Sequence, residues 1–114
     1  MRVLVCGGRD YSGREKVFTE LHALAEKHGW LTIINGGARG ADALAREWAT
    51  LCHHGLVTIP ANWQMHGTSA GPIRNQLMID GSKPDLVLAF PGGRGTADMV
   101  KKANDAGIEV RSIR

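Results

Sequence analysis

Five short apolar runs, four of them stopped by glycine or proline, constrain this chain more than any other feature. They are Arg2–Cys6 before Gly7-Gly8, Leu31–Ile34 before Asn35-Gly36-Gly37, Leu56–Ile59 before Pro60, Asp85–Phe90 before Pro91-Gly92-Gly93, and Ile108–Ile113. Their apolarity is continuous rather than alternating, the mark of strands buried on both faces in a parallel sheet. Helical spacing fills the gaps. Val17, Leu21, Leu24 and Ala25 form one stripe, closed by Gly29. Ala41, Leu44, Ala45, Trp48, Ala49 and Cys52 form a second, closed near Gly55, with His53-His54 at its end. Ile73, Leu77 and Met78 mark a third ended by Gly81, and Met99, Val100 and Ala103 a fourth ended by Gly107. The order βαβαβαβαβ predicts an α/β, Rossmann-like three-layer sandwich around a five-stranded parallel sheet. Right-handed crossovers leave few topologies. The expected strand order is 3-2-1-4-5, which sets the ends of strands one and four side by side at a switch point. Residues 61–69 carry no pattern, and a loop of that length in a small domain is expected to serve function.

At 114 residues the chain is expected to form one domain. Hydrophobic residues at 43% and charged residues at 22% exclude disorder. No apolar stretch approaches the roughly 18 residues of a membrane span, and residues 1–8 are too short for a signal-peptide core. Cys6 and Cys52 make no disulfide framework and read as buried free thiols, which suits a cytoplasmic protein. The net charge of +3 points toward an anionic partner or is ordinary solubilising charge. Aromatic residues are only 5%, so stacking platforms for single strands are scarce and nucleic acid is not the expected partner.

Three glycine clusters stand at strand ends, each leading into a helix: Gly7-Gly8-Arg9-Asp10, Gly36-Gly37-Ala38-Arg39-Gly40, and Gly92-Gly93-Arg94-Gly95-Thr96. Ligands of open parallel sheets bind at that edge. Glycine lets backbone N–H groups approach a ligand, and a helix N-terminus adds donors and positive potential for an anion. Other matches fail on their chemistry. Gly8 to Gly13 has P-loop spacing, but Arg14-Glu15 stands where Lys-Ser/Thr is needed. Gly67-Thr68-Ser69-Ala70-Gly71 matches a nucleophile elbow, but no strand precedes it and every histidine lies before Ser69. No Cys/His cluster has metal-ligand spacing, so neither metal nor cofactor is expected.

Pro91-Gly92-Gly93-Arg94-Gly95-Thr96 resembles the PGGxGT signature of the LOG family, the "lysine decarboxylase-like" phosphoribohydrolases of cytokinin nucleotides. Three further stretches narrow the likeness: Gly7–Tyr11, Asn35–Asp42 and Ala70–Met78. Together the four resemble the small YspA/YpsA-related branch of the SLOG superfamily, which also holds DprA and occurs in bacteria and their phages. The resemblance covers nearly the whole chain. It implies a nucleotide-derived ligand, often a ribose phosphate or nucleotide sugar, and a homo-oligomer. It also implies that Arg74 matches the arginine of the LOG site, whereas the LOG glutamate position is Met99, next to Asp98. Loss of that glutamate argues for a sensor or binding module rather than a hydrolase, since N-glycosidic cleavage needs a carboxylate.

On this basis Gly92, Gly93, Gly95 and Thr96 are expected to cradle a phosphate, with Arg74 paired to it and Asn75 and Pro91 beside it. Arg9, Asp10, Gly37, Arg39 and Asp42 are expected to line the ribose or a second phosphate, with Gly7, Gly8 and Gly36 at the same edge. Trp63 and His66 would close over the base. Simpler roles stand beside these: Trp63 as a core plug, Asp42 as a helix cap, Arg94 as a solvated residue or subunit contact, and Arg74 as an ion-pair partner of Asp42 or Asp10. Were the chain a hydrolase, Arg74 and Asp98 would be its catalytic residues, with Asp42 and Asp10 as alternative carboxylates.

Overall fold

A computed structural model describes residues 1–114. Its elements are β1 (Arg2–Cys6), α1 (Arg14–His28), β2 (Thr32–Asn35), α2 (Ala41–Leu51), β3 (Gly55–Thr58), α3 (Trp63–His66), α4 (Ala70–Ser82), β4 (Leu86–Ala89), α5 (Arg94–Asp105) and β5 (Glu109–Ser112), with a 3₁₀ turn at Gly67–Ser69. All four strand pairings are parallel and the order is β3-β2-β1-β4-β5, as expected.

Period-two alternation along β1 sorts its side chains onto the two faces of the sheet. Val3 and Val5 join Ile33, Leu86, Leu88 and Phe90 beneath α1 and α2, where Trp48 is fully buried. Leu4 and Cys6 join Ile34, Val87 and Ala89 beneath α4 and α5. The change of helix layer falls between β1 and β4. There the chain leaves β1 in one direction and β4 in the other, and a crevice opens.

Three expectations need correction. The edge strands are not buried on both faces: β3 alternates, leaving Leu56 exposed, and β5 is largely exposed. An apolar run records a strand but not whether a neighbour covers it. Residues 61–69 are not an irregular loop. Asn62 caps α3 by accepting from the Met65 N–H at 3.1 Å, and the 3₁₀ turn leads directly into α4. Finally, α4 does not bury a stripe of Ile73, Leu77 and Met78. Ile73 and Leu77 face outward, and the inward positions are Ala70, Asn75, Met78, Ile79 and Ser82. A buried asparagine hides the helix's true inner face from a hydrophobicity count.

Candidate functional site

The crevice is a cavity of about 550 Å³ at the carboxyl ends of β1 and β4. Its floor is Cys6, Gly7 and Gly8, and its walls come from the starts of α4 and α5. Of the residues singled out from sequence, Arg9, Asp42, Trp63, Arg74, Asn75, Gly93, Gly95, Thr96 and Asp98 line it. Thr68, Gly71 and Pro72 line it too and were missed: Thr68 lies in the patternless 61–69 stretch, and Gly71 and Pro72 in the Ala70–Met78 motif, of which only Arg74 and Asn75 read as site residues. Arg94 also lines it while staying exposed to solvent. Asp10 does not; its carboxylate is almost fully exposed, 3.5 Å from Arg39. Gly36, Gly37 and Arg39 face a neighbouring cavity, Pro91 and Gly92 a third, and His66 lines none.

The three glycine clusters differ in what their backbone can offer. In the first, the Gly8 N–H donates to Pro91 O at 2.8 Å, and Gly8 O accepts from Tyr11 and Ala41. A Cβ on Gly7 would lie 2.6 Å from Ala41 Cβ. The ends of β1 and β4 therefore face each other, but they are stapled together. In the second, the Gly36 and Ala38 N–H groups donate to the Asp42 carboxylate at 2.9 and 3.2 Å, and the Gly37 N–H donates to Asn35 at 2.8 Å. Arg46 donates to Asn35 Oδ1 and Ala38 O. That turn is locked by side chains and has no N–H to spare among Gly36, Gly37 and Ala38. In the third cluster, Gly93, Arg94, Gly95 and Thr96 make no backbone N–H hydrogen bond. These are the unpaired donors that open a helix. Cβ positions at Gly93 and Gly95 point into open space. Gly93 has φ −101°, so its glycine is not required by conformation.

Arg74 reaches across from α4. Its Nη1 donates to Gly36 O at 2.6 Å and its Nε to Asn75 Oδ1 at 3.0 Å, two bonds that fix the guanidinium in the cavity wall. Burial pulls the guanidinium below its ordinary range; Asp42 opposes this and Arg9 reinforces it. It remains a cation at working pH. No ion pair joins Arg74 to Asp42 or Asp10; its anchor is a carbonyl. Nor does Asp42 cap α2 at the usual position, since Gly40 stands there without a side-chain cap. Burial raises the Asp42 carboxyl above its ordinary range, against the two backbone N–H donors and the charges of Arg74 and Arg46.

Asn75 is buried between α4 and α5, donating to Gly95 O at 3.2 Å and to Asp98 at 2.9 Å. Asp98 also pairs with Lys102 at 2.5 Å. Burial works to raise the Asp98 carboxyl, but hydrogen bonds from Lys102 and Asn75 outweigh it and hold the group below its ordinary range. Met99, at the LOG glutamate position, is buried in the core. Trp63 is no plug. It is half-exposed, with the Arg9 guanidinium 5.3 Å from its ring centroid. Cys6 lies at the floor with its thiol pushed up to about 12 by burial and by the Asp42 charge, which makes it a poor nucleophile. Nowhere do three metal-ligating side chains converge.

This chain belongs to the YspA, cpYpsA-related SLOG family, whose sequence model matches residues 1–66. The matched part carries the first two glycine clusters; the third lies beyond it. The Gene 61 protein of Mycobacterium phage D29 is 38% identical over 117 residues, covering 96% of this chain and 93% of that protein. Among solved structures, DNA processing protein A from Helicobacter pylori, described for its single-stranded DNA binding mode, is similar over the whole of this chain with a TM-score of 0.73 at 16% identity. This chain spans 65% of that one, and the likeness is one of fold. No helix is long and apolar enough to cross a membrane.

Proposed function

We propose that this chain is a binding module for a nucleotide-derived ligand, a nucleotide, ribose phosphate or nucleotide sugar, and that it seats one phosphate between Arg74 and the turn that opens α5. The observation that carries this reading is the meeting of a rigid, partly desolvated guanidinium with the unpaired N–H groups of residues 93–96 around one cavity. Donors and positive potential at a helix start suit a phosphate, and the planar fork of arginine matches phosphate oxygens. The half-exposed Trp63 ring offers a base a stacking face. The cavity volume falls within the usual range for small-molecule sites.

Binding is favoured over hydrolysis by the state of the carboxylates. Met99 faces the core, and both oxygens of Asp98 are already engaged. A carboxyl held below its ordinary range is a poor general base at neutral pH. The likeness to a protein described for its single-stranded DNA binding mode favours a second reading, in which the phosphate belongs to a nucleic-acid strand.

Calorimetric titration with nucleosides and their 5′-monophosphates tests the proposal. Arg74→Ala is expected to weaken the phosphorylated form about tenfold to a hundredfold, the range for a hydrogen bond to a charged group, and to leave the weaker nucleoside binding little changed. Equal losses for both forms would reduce Arg74 to a brace for the 36–38 turn. Free base released during incubation would establish the hydrolase. Salt-dependent affinity for an oligothymidylate exceeding that for any mononucleotide would establish the strand reading.

A further inference from the structure

A second cavity, of about 360 Å³, adjoins the first. Arg9, Ala38, Trp63 and Arg74 line both, so these residues form a shared wall with a compartment on each side. Arg39 belongs to the second compartment alone. The charge of the two differs. Asp42 and Asp98 line the first and balance part of its basic side chains. Three guanidiniums line the second and no carboxylate does. Two acids stand just outside the lining: Asp42, whose carboxylate is taken up by the Gly36 and Ala38 N–H groups at 2.9 and 3.2 Å, and Asp10, almost fully exposed and 3.5 Å from Arg39. A solvated pair of that kind holds weakly and yields readily to a better anion.

The backbone contributes little there. The N–H groups of Gly36, Gly37 and Ala38 are spent on Asp42 and Asn35, and Gly36 O holds the Arg74 guanidinium. The turn therefore fixes one cation in the shared wall, and Arg9 and Arg39 supply two more with room to move. Arg9 already depresses the ionisation of Arg74 by like-charge repulsion. An anion between these side chains relieves that repulsion.

We propose that the second cavity is a second phosphate subsite and that the ligand carries a diphosphate, one phosphoryl group on each side of the Arg74–Arg9 wall. This rests on the phosphate reading of the first cavity and extends it to the chemical class of ligand: a nucleoside diphosphate or a diphosphate-linked conjugate. The cavity at Pro91 and Gly92 shares Gly93 and Thr96 with the first, so a strand that runs on past the first compartment is the rival occupant that the oligothymidylate arm tests. The Arg9–Trp63 contact, at 5.3 Å, sits where such a ligand would cross from one compartment to the other.

The test titrates the full chain with the four ribonucleoside 5′-monophosphates, their 5′-diphosphates and an octameric oligothymidylate. For at least one base the diphosphate is expected to bind about tenfold or more tightly than the monophosphate, the increment of one added charge-assisted contact. In Arg39→Ala, an exposed position whose loss leaves the core intact, that ratio is expected to fall below about threefold, and Arg39→Lys to restore part of it. Equal affinity for the two phosphate forms in the unaltered chain would overturn the second subsite and leave the first reading standing. A diphosphate advantage untouched by Arg39→Ala would also overturn it. No binding of either form would remove both. An oligothymidylate that binds more tightly than every diphosphate, and loses affinity in Arg39→Ala, would overturn the small-ligand proposal in favour of a strand.

Discussion

Asp42 shows how one side chain serves structure and site together. A single carboxylate oxygen accepts from two backbone N–H groups, at 2.9 and 3.2 Å, and burial holds the carboxyl above its ordinary range. Its two natural substitutions separate these effects. Asp42→Asn keeps an acceptor for both N–H groups and removes the desolvated charge, so it is expected to be neutral or stabilising at pH 7. Asp42→Ala leaves two N–H groups without a partner, at a cost of roughly 1–3 kcal/mol each. The pH dependence has a fixed sign. A carboxyl raised in the folded state favours the fold below its unfolded value, and that contribution is lost as pH rises through the folded value. The advantage of Asp42→Asn over the parent should therefore grow from acid toward neutral pH in denaturant titrations. An advantage that shrinks over that range would contradict the assignment. The sequence marked Asp42 as a ribose contact or helix cap. It could not show the backward reach to Gly36 and Ala38, because that depends on a turn closed further by Arg46 and Arg74 from two different helices.

The turn between β4 and α5 places a structural and a binding glycine side by side. A Cβ on Gly92 would collide with Thr96 Oγ1 and lie 2.7 Å from the Gly8 backbone nitrogen, in the staple that joins β4 to β1. A Cβ on Gly93 meets nothing within 4 Å and projects from the cavity lining. Gly92→Ala is therefore expected to destabilise by roughly 1–3 kcal/mol, the usual range for overpacking. Gly93→Val should shift stability by less than about 0.5 kcal/mol and cut phosphate affinity at least about tenfold by shielding the N–H groups it adjoins. Equal melting temperatures for the two variants would show that the β1–β4 staple is looser than its geometry indicates. The sequence located this turn and its helix, since a glycine-rich strand end is a local signal. It could not rank the three clusters, because Gly8 in the first and Gly36, Gly37 and Ala38 in the second give their N–H groups to partners distant in the chain or on nearby side chains. The element read least well was the segment from Ala61 to Leu77. Its caps are weak signals, and its helix turns Asn75 inward while Ile73 and Leu77 of the expected apolar stripe face outward.

At the scale of the whole molecule, strand order does the positioning. The order β3-β2-β1-β4-β5 follows from the apolar runs and the handedness of crossovers, and it turns the starts of α4 and α5 toward one cavity. The core lies below, in two layers built from alternate residues of β1 and β4, and borrows little from the cavity walls. Stability and binding are thus separable, and thermal unfolding can read one through the other. A ligand that binds only the folded chain adds about 2.7 kcal/mol at a hundred times its Kd. With roughly 4–8 °C of melting shift per kcal/mol for domains slightly smaller than this one, the expected rise is about 10–20 °C. Gly93→Val should begin from nearly the parent melting temperature and show almost none of that rise. Gly92→Ala should begin lower and, once its fold is formed, still gain from ligand. A Gly93→Val chain that gains the full shift would mean that the ligand is held elsewhere, and it would detach the cavity from the start of α5 as a site.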